Sequence, residues 1–563
     1  MESLSASHSP AATGFSPAPE ASDRASHKRE RWVTVVLAVL FVSWAAVFIK
    51  GTSMVDANGH HHFALFDDAM ISMRYAWNLA HGHGLVLNPG ERVEGYSNLL
   101  LVLVMTGATA VFSKASATLC IQVLGVATML GIAAATRSIA SLVARDEPGM
   151  HLPSVRVVAF ASVLAYYPLA YWALMGMETA LLTLLLLGGL YHVLRFEAEE
   201  RGRSLVLAGG CLALAYLTRN DSLLVSLVMG AYALIHIVRR RRLAQNAGPL
   251  ALGAGLLLVT VAGQWLWRRG YYHSNLPNTY ALRVLGLGLV DRVLDGLRFM
   301  RMFLVETIAL SALAVGELLF SARRPKVLLA ALALTIVVYQ IVIGGDFTTY
   351  WRFLCPAIPL LFILAITCAA ALEAGMARTS AFAACFLRRP MLGAGSVRLY
   401  LLGVFMGLVL YSIDSRFLPE MTFHQPPDTT AENHYSIQAA VSLDEILAPQ
   451  ATLGVFALGA ASYYTGRRSI DFLGKTDPHI ARLPPDTSGK VHGWGMKGGP
   501  AHNKYDLNYS IRKLQPTYVE GFVWGNQNLL DWAPSAYVQV TYKGQAFWLL
   551  RDSPLVYWDK LGG

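Results

Sequence analysis

Charge is scarce in this sequence. Only 15% of its 563 residues are Asp, Glu, Lys or Arg, against 54% hydrophobic, where a soluble domain carries about 25% charged residues. A water-soluble chain of this size would have too much surface for so few charges, which excludes an ordinary cytosolic enzyme. Cysteine is nearly as rare: Cys120, Cys211, Cys355, Cys368 and Cys385 are the only five, and their spacing fits neither a disulfide framework nor a zinc site. Nor is there an even basic field of the kind that coats nucleic acid. The first 413 residues carry a net charge of +11 and the remaining 150 a net −1. That split points to loops held at anionic lipid, and to a phosphate-bearing ligand.

What the chain has instead is long apolar runs, with a mean hydropathy of +0.43. Twelve lie near residues 32–50, 98–112, 116–143, 155–172, 177–196, 204–219, 221–238, 248–267, 300–320, 327–344, 353–375 and 397–413. Residues 1–31 read as a disordered cytoplasmic N-terminus, aperiodic and rich in Ser, Ala and Pro, then basic at Arg24, Lys28, Arg29 and Arg31. The run that follows is long for the core of a signal peptide and reads as a first membrane helix. The basic loops at Arg145/Arg156, Arg195/Arg201/Arg203, Arg239 to Arg242, Arg323/Arg324/Lys326 and Arg388/Arg389/Arg398 share the N-terminus's side only if one early run does not cross. Run 98–112 is the weakest, about 15 residues against the roughly 20 that span a bilayer, and reads as an interfacial helix. The expectation is an α-helical polytopic membrane protein with about eleven crossings. Its membrane domain is 32–413, with outer loops 51–115, 268–299 and 345–352. A soluble α/β domain follows at 414–563, on the outer side, with strands at Tyr537–Tyr542 and Ala546–Leu550.

The chemistry-bearing residues concentrate just after the first run. Side chains of neighbouring helical residues diverge by about 100°, so one carboxylate of Asp67-Asp68 can face a cavity while the other braces the loop. The first could deprotonate an acceptor hydroxyl. The alternative is a helix N-terminus, with Asp67 capping a helix from Asp68 to Ala80. Arg268, Arg269, Arg283 and Arg352 are candidate ligands for a leaving phosphate, since a fixed guanidinium stabilises developing negative charge. Snorkelling to the interface explains Arg268 and Arg269 equally well, and an ion pair with Asp346 explains Arg352. Glu178 reads as a dipole partner at a helix start. Glu91 and Glu94 either orient an acceptor or bond loop backbone. His60, His61, His62, His81 and His83 lack a carboxylate at ligand spacing and read as solvated, so no metal site is expected. A divalent cation at Asp67/Asp68 stays open as an alternative. Tail Trp and Tyr residues either stack on sugar rings or pack the core.

Taken together, Asp67-Asp68-Ala69, Ile71, Arg74-Tyr75 and Asn78, then Gly82-His83-Gly84, Asn88-Pro89-Gly90-Glu91 and Glu94-Gly95-Tyr96, resemble the first outer loop of the GT-C superfamily of polyprenyl-phosphate-sugar glycosyltransferases. The closest likeness is to its arabinofuranosyltransferase branch, which includes mycobacterial terminal β-1,2-arabinofuranosyltransferases and pseudomonad pilin arabinosyltransferases. His273-Ser-Asn-Leu-Pro277-Asn278-Thr279-Tyr280, Gly344-Gly345-Asp346 with Arg352-Phe353, and Leu473 to Ala481 resemble further shared segments. The chain departs from the branch at Ala501-His502-Asn503-Lys504, where a Gly-His-x-Lys is usual, and at Arg219-Asn220-Asp221-Ser222, where the turn usually contains proline.

The resemblance implies an inverting transfer of a sugar, arabinofuranose first, from a polyprenyl-phosphate donor to a cell-envelope polysaccharide, glycolipid or protein acceptor. It implies Asp67 or Asp68 as base and the four arginines on the phosphate. Arg74, Tyr75, Asn88, Glu91, Glu94, Tyr96, Asn98, Glu178, His273, Asn278, Asp346, His502 and Lys504 would contact substrate. No cofactor is required. The location implied is the bacterial inner membrane, with the site and an accessory, carbohydrate-contacting tail on the periplasmic face. The alternatives are a GT-C enzyme for another lipid-linked pentose or hexose, and a lipid-linked sugar transporter. Against the latter, no pair of interrupted segments marks inverted repeats, and the acidic pair lies outside the membrane core.

Overall fold

The computed structural model describes residues 19–56, 59–346, 348, 350–379, 394–488 and 501–562. The expected disorder before residue 19, and Cys385, Arg388 and Arg389, lie outside the described residues.

Each apolar run is helical. In chain order the helices are α1 (Pro19–Thr52), α2 (Asp67–Ala80), α3 (Leu99–Val111), α4 (Lys114–Ala144), α5 (Leu152–Ala165), α6 (Tyr167–Leu174), α7 (Glu178–Glu199) and α8 (Gly202–Thr218). They continue with α9 (Ser222–Arg239), α10 (Leu243–Tyr272), α11 (Asn278–Val284), α12 (Leu289–Glu306), α13 (Ile308–Phe320), α14 (Arg324–Ile343), α15 (Ile358–Thr379) and α16 (Ala394–Asp414). Among the described residues, eight helices are long and apolar enough to cross a membrane, and ten spans result if two bent pairs each count once. The 17-residue α8 is the remaining apolar run of near-spanning length. At 13 residues, α3 is only about 20 Å long, short of the roughly 30 Å hydrocarbon layer.

The two bent pairs differ from the uninterrupted runs expected. α5 and α6 meet at 58° because Pro168, at the start of α6, lacks an N–H and pushes the chain before it out of helical geometry. α12 and α13 meet at 86° at Thr307. α12 begins at Leu289, well before the expected residue 300, because its first turns carry Asp291, Arg292, Asp295 and Arg298. It is amphipathic, and a search for apolar runs passes over it. Elsewhere the bundle closes through small residues: a Cβ on Gly209 of α8 would lie 2.2 Å from the Gly253 carbonyl of α10, so the two backbones touch.

Basic loops gather at one end of the bundle. Arg137 and Arg156 pair with Glu30, twelfth residue of α1, Arg323 donates to the Asp146 carbonyl, Arg398 to that of Gly149, and Arg242 pairs with Glu200. The C-terminal domain packs at the opposite end, against residues 64–98 and α11. Among the described residues, α8 and each bent pair counted once bring the passes between the two ends of the bundle to eleven, an odd number, consistent with the C-terminal domain lying opposite the basic end.

In the C-terminal domain, strands β3 (Thr452–Val455), β4 (Arg468–Asp471), β5 (Tyr518–Val519), β8 (Tyr537–Tyr542) and β9 (Gln545–Leu550) form one mixed sheet in the order β4-β3-β5-β9-β8. Two short hairpins, β1 (Met54–Val55) with β2 (His61–His62) and β6 (Val523–Trp524) with β7 (Gln527–Asn528), stand apart. The first three sheet strands run parallel and the last two antiparallel. β8 and β9 lie where alternating hydrophobicity places them. Lys543 and Gly544 join them with φ of 47° and 78°, the backbone a two-residue hairpin turn needs to match strand twist.

Candidate active site

The acidic pair opens α2. The N-cap is Phe66, with no side-chain cap, and its N–H is tied to the Met175 carbonyl at 3.0 Å. Asp67 therefore does not cap the helix. Its Oδ1 instead accepts from the Gly459 N–H of the C-terminal domain at 2.8 Å. Asp68 diverges as helical geometry requires: Oδ2 accepts from Arg352 Nη1 at 2.8 Å, and Oδ1 is held by Lys475 Nζ. Burial, and then the charge of Asp68, push the Asp67 carboxyl up to about 7, against Lys475 and the Gly459 N–H. Burial works the same way on Asp68, but Lys475 and Arg352 outweigh it and hold that carboxyl well below the usual range. One acid is a fixed anion, and its neighbour is poised to take a proton near neutral pH.

Both acids line a cavity of about 220 Å³ between the bundle and the C-terminal domain. Across it, three guanidinium groups surround the ring of Phe353: Arg219 at 4.2 Å, Arg352 at 4.4 Å and Arg283 at 4.8 Å from the centroid. Stacking on an electron-rich face lets like charges approach. Arg219 bonds Glu178 at 2.9 Å and Asp221 at 2.8 Å. Arg283 bonds Asp346 at 3.0 Å. Its Nε is buried without a hydrogen-bond partner among the described residues, and burial lowers its proton affinity. A second, apolar groove runs from this cluster between α7, α9 and α14. It is lined by Leu182, Leu186, Leu224, Val225 and Ile336, and shares Arg219, Arg352 and Phe353 with the cavity.

Of the residues expected at the site, Asp67, Asp68, Tyr96, Asn98, Glu178, Arg283, Arg352 and His502 line the cavity. Asp346 stands behind the arginines, fully buried. The others brace it. Arg268 holds Glu94 through two bonds of 2.5 and 3.1 Å and also Asn220 at 3.1 Å; it lies outside the cavity lining. Arg269 is exposed over Trp265, and His273 is exposed at the end of α10 with φ 54°. Arg74 donates to the carbonyls of Leu87 and Gly466. Tyr75 bonds Val93 and Gly95. Asn88 exchanges bonds with Ser469 of β4, and Glu91 pairs with Arg468. Asn278 donates to the carbonyls of Gly474 and Lys475, and Lys504 to those of Ala281 and Ala481. The bonds of Arg74, Tyr75, Asn88, Glu91, Asn278 and Lys504 form seams between loop, bundle and domain.

The last turn of α10 grips the same loop. Tyr271 Oη accepts from the Leu85 N–H at 3.0 Å, Tyr272 Oη donates to the Leu85 carbonyl at 2.6 Å, and Tyr96 and Tyr272 hydroxyls meet at 3.2 Å. Ala501, where the resembled branch has glycine, adopts φ 70°, the left-handed backbone glycine takes at no cost.

Sequence reasoning missed Arg219 and Lys475 as functional cations. Both lie in segments it had singled out, the Arg219–Ser222 turn and the Leu473–Ala481 stretch, but their partners are remote in sequence. Both Asp68 oxygens are taken by cations, and no group of three His, Cys, Asp or Glu is gathered among the described residues.

The same architecture recurs in solved structures. ArnT from Cupriavidus metallidurans in the apo state is similar over 92% of this chain and 98% of its own, with a TM-score of 0.52 and 16% identity. The undecaprenyl-phosphate-bound form gives 0.53 and 15% over the same shares. An Archaeoglobus fulgidus oligosaccharyltransferase is similar over 94% of this chain and 75% of its own, with a TM-score of 0.48 and 12% identity. A family described as a domain of unknown function, DUF8728, matches residues 425–554, inside the C-terminal domain. No curated protein matches the chain. The fold is thus that of a multi-pass helical membrane protein. Within that class its arrangement is ArnT-like, with a small sheet domain at the C-terminus.

Proposed function

We propose that this protein is an inverting glycosyltransferase that moves a sugar, arabinofuranose, from a polyprenyl-phosphate donor to a cell-envelope acceptor on the outer face of a bacterial inner membrane. The observation that carries the proposal is the joining of three elements in one space. Asp67, whose carboxyl burial pushes up to about 7, lines the same cavity as three arginines, and an apolar groove between α7, α9 and α14 meets two of them, Arg219 and Arg352. On this reading the lipid chain runs along the groove, its phosphate meets the arginines, and the sugar occupies the cavity. Undecaprenyl phosphate bound to the similarly folded ArnT supports a lipid-phosphate ligand here. The choice of arabinofuranose rests on the loop resemblance at residues 67–98.

In the reaction, the acceptor hydroxyl attacks the anomeric carbon from the side opposite the phosphate. Asp67 takes the hydroxyl proton as the new C–O bond forms. The bond between the anomeric carbon and the phosphate oxygen breaks, and its electron pair leaves with polyprenyl phosphate. Arg219, Arg283 and Arg352 stabilise the charge that grows there. Asp68, anchored on Arg352 and Lys475, keeps the arginine in place. No step requires a metal, and the C-terminal domain sits outside, closing the cavity.

The test is transfer by the purified full-length protein from labelled polyprenyl-phospho-arabinofuranose, with ribose-, glucose- and aminoarabinose-bearing lipids in parallel. Release of polyprenyl phosphate with an inverted glycosidic product is expected from the first. Turnover of another lipid-linked sugar alone would overturn the sugar assignment, and no turnover of any by folded protein would overturn the reaction.

A further inference from the structure

The loop that carries Lys475 is built as a fixed arm. Asp471, buried at the end of β4, accepts the N–H groups of Leu473, Gly474 and Thr476 at 2.9, 3.1 and 2.6 Å and the Thr476 hydroxyl at 3.1 Å. The carbonyl of Lys475 is held from the bundle side by Asn278 at 3.1 Å. Backbone meets backbone across the same seam. A Cβ on Gly459 would lie 2.1 Å from the Asp67 carbonyl, and one on Gly95 would lie 2.4 Å from the Thr476 methyl. The C-terminal domain thus reaches both acids at once, Asp67 through the Gly459 N–H and Asp68 through Lys475.

We propose that Lys475 is a positioning residue for the acidic pair: by occupying one oxygen of Asp68 it fixes which acid faces the acceptor, so that the C-terminal domain completes the active site rather than merely covering it. This rests on the glycosyltransferase reading for its meaning, but not for its test. The charged groups around Asp67 come from several elements: Asp68 on its own helix, Lys475 and Asp471 from the arm, Glu520 after β5, and Arg352 after α14, with His502 also on the cavity wall. Lys475 is the cation that acts on Asp67 most strongly. Its removal leaves Asp67 facing mainly negative neighbours and therefore easier to protonate.

The experiment titrates Asp67 in the full-length protein by carbodiimide labelling across pH, read by mass spectrometry, for the parent, Lys475→Met and Lys475→Arg. Lys475→Met should move the labelling midpoint up by about one pH unit, a roughly tenfold change in proton affinity, and Lys475→Arg should restore it. Where the parent transfers sugar, the acid limb of kcat/KM should move by the same amount with donor KM unchanged. An unmoved midpoint overturns the proposal. So does a raised donor KM with an unmoved profile, which would make Lys475 a phosphate ligand. Lys475→Gln provides a second neutral variant. If both neutral variants fail to fold while the arginine variant folds, the residue is structural and the proposal falls. If the parent transfers no sugar, the function assigned above fails, and the labelling midpoints still decide the role of Lys475.

Discussion

Replacing Asp67 with asparagine separates a chemical role from a structural one. The change is nearly isosteric, and the new amide oxygen can still accept the Gly459 N–H held at 2.8 Å, so the seam to the C-terminal domain survives. The proton acceptor does not. General-base catalysis is worth about 10²–10⁴ in rate, and a loss of kcat in that range is expected, with donor binding retained because the phosphate is held by arginines. The parental pH profile gives an independent measure. With the carboxyl at about 7, about a tenth of it is ionised at pH 6 and nine-tenths at pH 8, so kcat/KM should climb roughly tenfold between them; the asparagine variant should be flat. Stability should move the opposite way from a lost cap. A carboxyl whose affinity for protons is raised on folding binds more protons folded than unfolded, so the folded state loses stability as pH rises from the unfolded value through 7. Asparagine removes that penalty, and its Tm at pH 8 should equal or exceed the parent's. Parental turnover by the folded variant, or a lowered Tm at pH 8, would refute the reasoning.

Arg268→Gln should lower Tm sharply, since breaking a buried ion pair costs about 3–5 kcal/mol. Adding Glu94→Gln should recover part of the loss, and donor KM should stay put in the double variant because Arg268 lies outside the cavity lining. Leu224→Trp, on the groove wall, should raise KM for a long-chain donor well above its effect on a short-chain one; equal effects would take the lipid out of that groove. In a background without the native cysteines, Ser535→Cys should label from outside intact cells and Arg240→Cys only after permeabilisation. The reverse pattern would invert the topology.

Much of the fold is legible because apolar runs are local: the α4, α7, α9 and α14 runs are helices within a few residues of where hydropathy puts them. α12 was hidden because its membrane-end turns are charged, and the α5–α6 break because a single Pro168 inside an apolar run does not announce an angle. The site was legible as a list and not as an arrangement. The 67–98 segment contains both cavity residues and braces, and alternation along the chain does not sort them. Arg268 faces Glu94 across 174 positions and Lys475 faces Asp68 across 407. Whether a cation reaches the cavity depends on where such a distant partner holds it, so Arg268, outside the lining, and Arg219, within it, could not be told apart before folding.

The grip of α10 on the loop at Leu85 to Tyr96 bears on traffic. Two tyrosine hydroxyls and a doubly bonded Arg268–Glu94 pair rivet that loop to a helix that is itself in backbone contact with α8. A wall fastened in this way is not a door. On the function proposed above, the lipid enters sideways, out of the bilayer between α7, α9 and α14, and the spent carrier leaves by the same slot. On the same reading the acceptor comes from the other direction, past Phe456 and His502 at the domain's edge of the cavity. Two reactants that differ so widely in solubility would then meet without sharing an entrance, and neither would have to wait for the other's path to clear.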